Sequence, residues 1–252
     1  MIATIQHQNK NYVVDFSKPL DISMPLSSNE NATRAWYQNP LTIEPVVIGD
    51  WIGSVKKGSS VNFNNIFFNP HAHGTHTECV GHISLENESV NQQLKQFMFF
   101  AEVVTITPSI VGDDKVILKE SLVEKFNNEN KVEALIIRTE PNTDSKLNHN
   151  YSNTNPAYIN VEAIEYLNSI NIQHLLLDLP SVDREQDGGE LLAHKAFWQY
   201  PHNTQLQKTI TEMIFVNNNI ADGMYLLNIQ IAPFENDASP SKPMLYLLDE
   251  KL

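Results

Sequence analysis

The chain has 252 residues, of which 41% are hydrophobic, enough apolar material for one large domain with an extensive core. Its 30 acidic residues outweigh 17 Lys and Arg, for a net charge of -13, and such a surface repels nucleic acid and anionic lipid. A single cysteine rules out an intrachain disulfide and fits a reducing cytoplasm.

Met1–Lys10 lacks the basic-then-apolar order of a signal peptide. No apolar run reaches the roughly 18 residues of a membrane span. Residues 12–50 read as irregular or short-stranded, broken by Pro19, Pro25, Pro40 and Pro45. Trp36 and Tyr37 lie there between polar stretches, and Trp36 is a candidate substrate-stacking group. Strand-forming residues at 61–68 lead straight into a histidine cluster, and 99–107 is a second strand. A short helix over 118–126 precedes the strand 134–139. The Asn-, Ser- and Asp-rich stretch 142–155 is a loop.

Val161, Ile164, Leu167 and Ile170 recur three apart, the stripe of a helix on a sheet, and the buried strand 174–180 follows. Helix then buried strand is half of a β-α-β unit. Beyond it come a helix over 190–198, an extended segment 212–216, a strand 224–231 and a closing edge at 246–248. The expectation is one α/β domain over residues 1–252, a mixed β-sheet packed by helices, in a cytoplasmic protein with no nucleic-acid or membrane partner.

The chemistry concentrates in His71–His82, which holds four histidines, Glu78 and Cys79. Imidazole nitrogens and carboxylate oxygens are the donors that zinc and similar divalent ions accept. If 73–79 is extended, alternation sets His76 and Glu78 on one face, and His73, Thr75, Thr77 and Cys79 on the other. A bend at Gly74-Thr75 would bring round His71 or His73. His82 is a further ligand or the proton-transfer group, since imidazole as a class exchanges protons near neutrality. Ligands from other segments would complete a rigid site, the candidates being Asp178, Asp183, His194 and Glu212. Cys79, pointing away from His76 and Glu78, reads as an inert buried thiol.

The pattern resembles the cyclase-like metal-dependent hydrolases, the family that includes bacterial kynurenine formamidase (arylformamidase), with its His-x-Gly-Thr-His-x-Asp-x-Pro-x-His. Gly74-Thr75-His76 matches its centre, Glu78 stands at the Asp position and His82 at the last His. Asp21-Ile-Ser-Met-Pro-Leu26, Leu177-Asp-Leu-Pro-Ser-Val-Asp183 and Asp237-Ala-Ser-Pro240 resemble further family segments, so the likeness spans about residues 13 to 248.

The resemblance implies a swivelling β/β/α cyclase-like fold and one or two ions per subunit, Zn2+ or alternatively Mn2+. His76, Glu78 as bridging carboxylate, His194 and Glu212 would be ligands. His82 would be the acid–base residue, with Glu212 counted beside it in the catalytic set. It further implies a homodimer or homotetramer.

The implied reaction is C–N hydrolysis of a small amide or cyclic substrate by metal-activated water, as for an arylformamidase in tryptophan catabolism to kynurenine. A lactone or cyclic-ester hydrolase is the enzymatic alternative, and an impaired binding or scaffold protein the other. Ala72 occupies the pattern's first ligand position, flanked by His71 and His73, and cannot bind metal. Asp237 and Ser239 read as turn-forming residues of the pocket wall. The spacing from His194 to Glu212 implies an insertion near 200–203 that shapes the pocket.

Overall fold

The computed structural model describes residues 1–250. A nine-stranded mixed sheet is its centre: β1 (Leu20–Asp21), β2 (His76–Glu78), β3 (Met98–Ile106), β4 (Ala134–Thr139), β5 (His174–Leu177), β6 (Thr209–Glu212), β7 (Gly223–Asn228), β8 (Ala238–Pro240) and β9 (Met244–Leu247). Their order is β8-β2-β6-β5-β4-β3-β7-β9-β1. The four central strands β3, β4, β5 and β6 run parallel, and every outer pairing is antiparallel. The result is the expected α/β domain, a curled mixed sheet packed by helices in a swivelling cyclase-like arrangement.

The central strands carry apolar residues on both sides, as in Leu135–Ile137 and Leu175–Leu177, because both faces of the sheet are covered. The helices are α1 (Val90–Gln93), α2 (Lys119–Lys125), α3 (Val161–Ser169) and α4 (Leu192–Trp198), and Leu135 and Ile137 of β4, with Leu175 and Leu177 of β5, pack under the last three. Ala134, Ile136 and Leu176 point the other way, against Ile22, Ile214, Val216 and Leu227. In α3 the Asn160 side chain caps the helix by accepting the Ala163 N–H at 3.1 Å, and Ile164 and Leu167 are buried.

Several expected boundaries shift for local reasons. The segment 212–216 is not one strand: β6 covers 209–212 and stops where Met213 turns to φ 50°. The strand expected over 174–180 ends at Leu177, and the Asp178 carboxylate accepts bonds from Thr139 and Lys146. The helix expected from 190 begins at Leu192, because Gly188, Gly189 and Leu191 all have positive φ. The closing segment is not an edge, since β9 lies between β7 and β1. The strand expected at 61–68 forms over Asn64–Phe67 but stands outside the central sheet, paired only with Thr42–Pro45. Among the described residues no helix is long and apolar enough to cross a membrane.

His174, at the start of β5, is buried against Phe99 and bonds Thr209 Oγ1 at 2.8 Å. Burial, aided by the Lys208 charge, pushes its pKa down to about 3. The unfolded chain therefore takes up this proton first as pH falls. Stability is full above about pH 6.5 and declines toward pH 3, with a slope approaching ~1.4 kcal/mol per pH unit. Urea unfolding at pH 4 to 7 should show a shallower decline for His174→Gln than for the parent; equal slopes would contradict this origin.

Candidate metal centre

The site lies on the helix-covered face of the sheet, where β2 is flanked by β6 and β8. Antiparallel pairing sets Glu212 opposite His76, and both Ile210 and Ala238 opposite Glu78. Directly opposed residues share a face, so His76, Glu78 and Glu212 converge as a consequence of register. Thr77 points to the other face and bonds Thr211 Oγ1 at 2.7 Å. Thr75 locks the strand's entry, accepting the Met24 N–H at 2.7 Å and donating to the Met213 carbonyl at 2.5 Å. Gly74 has φ +64°, and a Cβ there would press on the Met24 carbonyl.

The fourth side chain comes from α4. His194 Nδ1 donates to Asp183 Oδ2 at 2.6 Å, which leaves Nε2 facing Glu78 Oε1 at 3.1 Å and Glu212 Oε1 at 3.9 Å. Asp183 also accepts the Ala193 and His194 backbone N–H groups, so one carboxylate caps the helix and fixes the histidine ring. His76 Nδ1 similarly donates to the Gly74 carbonyl at 3.2 Å, and its Nε2 stands 3.3 Å from Glu212 Oε2. In both rings the outer nitrogen is held in a bond that turns the inner lone pair toward the carboxylates.

His71 joins them. Its Nδ1 is 3.1 Å from Glu78 Oε2 and its Nε2 donates to Asp237 Oδ2 at 2.7 Å. Residues 69–73 form a turn in which the Ala72 and His73 N–H groups both reach the Asn69 carbonyl. Strand alternation therefore does not govern His71, and it enters the site although Ala72 stands at the pattern position. His73 does not enter. Its ring bonds the backbone of Asn69 and Asn39, so both nitrogens are engaged away from the cluster. His82 sits on the open side, with Nδ1 3.4 Å from Asp237 Oδ2 and 3.9 Å from Glu78 Oε2.

Asp237, read from sequence as a turn residue, thus belongs to the cluster; its signal was the Asp-Ala-Ser-Pro segment itself. Asp178 lies elsewhere, buried with Lys146 and Thr139. Trp36 packs beside Tyr151 and Met213 rather than on the cluster. The 199–208 loop is tied to α3 and α4, through Lys208 to Asn168 and Trp198 Nε1 to the Lys208 carbonyl. Cys79 is buried, donates to the Glu88 carbonyl at 3.2 Å and is pushed up to about 12 by burial, the profile of an inert thiol.

Electrostatically the site calls for a cation. Burial opposes charge on Glu78, yet His82, His194 and His71 hold its pKa well below the usual carboxylate value. Burial likewise opposes charge on His71 and His194. Bonds to Asp237 and Glu78 overcome it for His71, and bonds to Asp183 and Glu78 for His194, raising each to about 10. The buried His76 Nε2 and Glu78 Oε2 make no well-aligned hydrogen bond; each has only an ion-pair neighbour, Glu212 Oε2 at 3.3 Å and His71 Nδ1 at 3.1 Å, an arrangement that is costly unless something else binds them. Three overlapping donor groups meet the spacing of a metal site: His71-His76-Glu78, His71-His82-Asp237 and Glu78-His82-His194. The donor set fits a divalent ion.

The 3-10 turn Val80–His82 that presents His82 depends on Gly81, whose added Cβ would lie 2.0 Å from the Glu88 carbonyl oxygen. Gly81→Ala should cost roughly 1–3 kcal/mol, measured by denaturant unfolding; an unchanged midpoint would contradict that close approach.

The family model described as "Putative cyclase" matches residues 15–184. No curated protein sequence matches significantly. Among solved structures, a potential metal-dependent hydrolase with cyclase activity aligns at TM-score 0.63 and 14% identity, over 91% of this chain and 97% of that one. A predicted metal-dependent hydrolase from Bacillus stearothermophilus aligns at 0.60 and 15%, over 91% and 98%. Isatin hydrolase A from Labrenzia aggregata, bound to benzyl benzoate, aligns at 0.65 and 16%, over 91% and 93%. These likenesses establish the shared fold.

Proposed function

The chain belongs to the cyclase family, and from that premise we propose that it is a metal-dependent hydrolase of small amides, cyclic amides included. The observation that carries this reading is a pair of buried atoms without a well-aligned hydrogen bond, His76 Nε2 beside the Glu212 carboxylate and Glu78 Oε2 beside the His71 ring. His76, Glu78, His194 and Glu212 would hold the ion, with His71 and Asp237 on the other side of Glu78. Glu78 turns its two oxygens to different histidines, Oε1 to His194 and Oε2 to His71, the disposition of a carboxylate able to serve one ion or bridge two. Zinc suits this donor set, and manganese is the alternative. When bound, such an ion supplies Lewis-acid polarisation of a carbonyl and a lowered pKa for water.

The chain's own residues supply the rest. Asp183 and the Gly74 carbonyl fix the tautomers of His194 and His76, so both present Nε2 inward. The Val182 N–H bonds Glu212 Oε1 at 3.2 Å and orients that carboxylate. Asp237 lies within reach of both His71 and His82. His82, on the solvent side, is the group placed to take a proton at Nε2 and return it to a departing amine.

The isatin hydrolase likeness favours a cyclic amide fused to an aromatic ring, and the formamidase resemblance an N-formyl arylamine; both need the same carbonyl chemistry. A lactone is the ester counterpart. Incubating zinc- or manganese-loaded protein with isatin, N-formylkynurenine and an aryl lactone should give ion-dependent ring opening or formate release from an amide. Faster turnover of the lactone would move the substrate class to esters, and no turnover of any of the three would reject the hydrolase reading.

A further inference from the structure

The loop 142–155, which follows β4, takes no part in the metal centre, yet it is held from several sides. Lys146 Nζ donates to the Thr139 carbonyl at 2.6 Å and to Asp178 Oδ2 at 2.7 Å. Asn142 donates to the Val216 carbonyl at 2.8 Å, and the Glu185 carboxylate accepts the Asn153 and Asn155 N–H groups. Loops of this length are usually functional or disordered, and this one is fixed by charge-assisted bonds at its centre and near its end.

Under the loop lies a cleft of about 290 Å³. It opens at the carboxyl ends of three parallel strands, with Pro108 beyond β3, Thr139 at the end of β4 and Leu179 beyond β5, the edge at which α/β sheets bind ligands. Pro141, Pro156, Ala157, Leu179 and the Tyr151 ring give it apolar walls, and no histidine or carboxylate of the metal centre lines it. Its polar groups are not alike. Lys146 is neutralised by the buried Asp178, and Glu140 Oε2 accepts from Thr107 Oγ1 at 2.7 Å. Lys115 has no such partner among the described residues, because the neighbouring Asp114 is taken by Arg184 at 3.0 Å and by Asn155. His149 is its neighbour: burial, aided by the Lys115 charge, lowers the imidazole pKa, and the ring stands edge-on to Tyr151 at 4.5 Å. A free ammonium beside a neutral imidazole is a local reversal of sign on a chain of net charge -13.

We propose that this cleft binds a small aromatic carboxylate, its ring between Tyr151, Leu179 and the prolines and its carboxylate beside Lys115 and His149. The volume lies at the lower end of small-molecule pockets and suits a single substituted ring. Rigid apolar walls with one aromatic face favour a flat ring over a flexible chain. One ammonium and one imidazole N–H match the two oxygens of a carboxylate, whereas the second charge of a phosphate would stand unpaired near Glu140. The site does not depend on the hydrolase reading, since it shares no residue with the metal centre.

Titration of the full chain with benzoate, followed by NMR of the histidine rings, tests the site without reference to activity. The His149 signal, assigned by its absence in His149→Gln, should shift with a dissociation constant of about 1 mM or tighter, and its pKa should rise as the carboxylate offsets the Lys115 charge. Lys115 is exposed, so Lys115→Glu should keep the parental circular dichroism spectrum while weakening benzoate at least roughly 10-fold, the scale of one charge-assisted bond. Benzamide, which keeps the ring without the charge, and inorganic phosphate, which keeps charge without the ring, should bind more weakly by a similar factor. Glu78→Gln, which alters only the metal centre, should hold benzoate within a few-fold of the parent. No His149 shift at roughly 10 mM benzoate, parental affinity in Lys115→Glu, or benzamide or phosphate binding as well as benzoate would overturn the proposal. Loss of benzoate binding in Glu78→Gln would overturn it too, by placing the ligand on the metal centre.

Discussion

A Glu78→Gln chain is expected to bind zinc or manganese at least roughly 100-fold more weakly than the parent and to lose ion-dependent hydrolysis with it. Removing an outer partner of a ligand typically weakens metal affinity by 10–100-fold, and Glu78 stands closer than that. It is fully buried, and its two oxygens face His194 and His71 at 3.1 Å each. Glutamine keeps the volume but removes the charge and replaces one acceptor with a donor, so the histidines lose the anion around which they gather. Isothermal titration of metal-stripped protein checks this. His73→Gln serves as the contrast, because that ring is engaged by Asn69 and Asn39 outside the cluster, and its affinity should stay within a few-fold of the parent. Parental affinity in Glu78→Gln would remove the carboxylate from the site.

The second large effect is on stability. An ion that binds only the folded chain stabilises it by about 2.7 kcal/mol at 100 times its Kd. For a chain of this length each kcal/mol moves Tm by about 2–4 °C, so the melting temperature of chelator-stripped protein should rise by roughly 5–10 °C on loading. The physical origin is local: the loaded site gives partners to His76 Nε2 and Glu78 Oε2 and relieves the convergence of Glu78, Glu212, Asp183 and Asp237. The ligating histidines must shed protons to bind, so the gain shrinks as the buffer is made acidic. Differential scanning calorimetry with and without the ion measures it, and a Tm indifferent to zinc and manganese would argue for a purely hydrogen-bonded cluster.

Period-two and period-three patterns reveal local structure, and that is why β4, β5 and α3 were legible from their apolar residues. The same logic correctly grouped His76 with Glu78 and set Cys79 apart. It could not choose between His71 and His73, both of which it left to a bend, because alternation holds only along a strand and residues 69–73 form a turn. Asp237 was missed for a different reason. It precedes β8, and only the pairing of Ala238 with Glu78 brings it alongside His71; that register is a long-range property. Asp183 acts at a helix that lacks a side-chain cap of its own, since Leu191 at the N-cap is left-handed and apolar. The strand before the histidine cluster was half visible: residues 64–67 do form one, yet nothing in their composition tells that their partner is a second isolated strand rather than the main sheet.

Crystals grown with zinc or manganese and measured at the metal absorption edge test the central claim most directly. One or two anomalous peaks should lie within coordination distance of His76, Glu78, His194 and Glu212, with any second peak on the His71 and Asp237 side of Glu78. Full occupancy of the ion elsewhere, or no peak among these residues at saturating metal, would contradict the assignment.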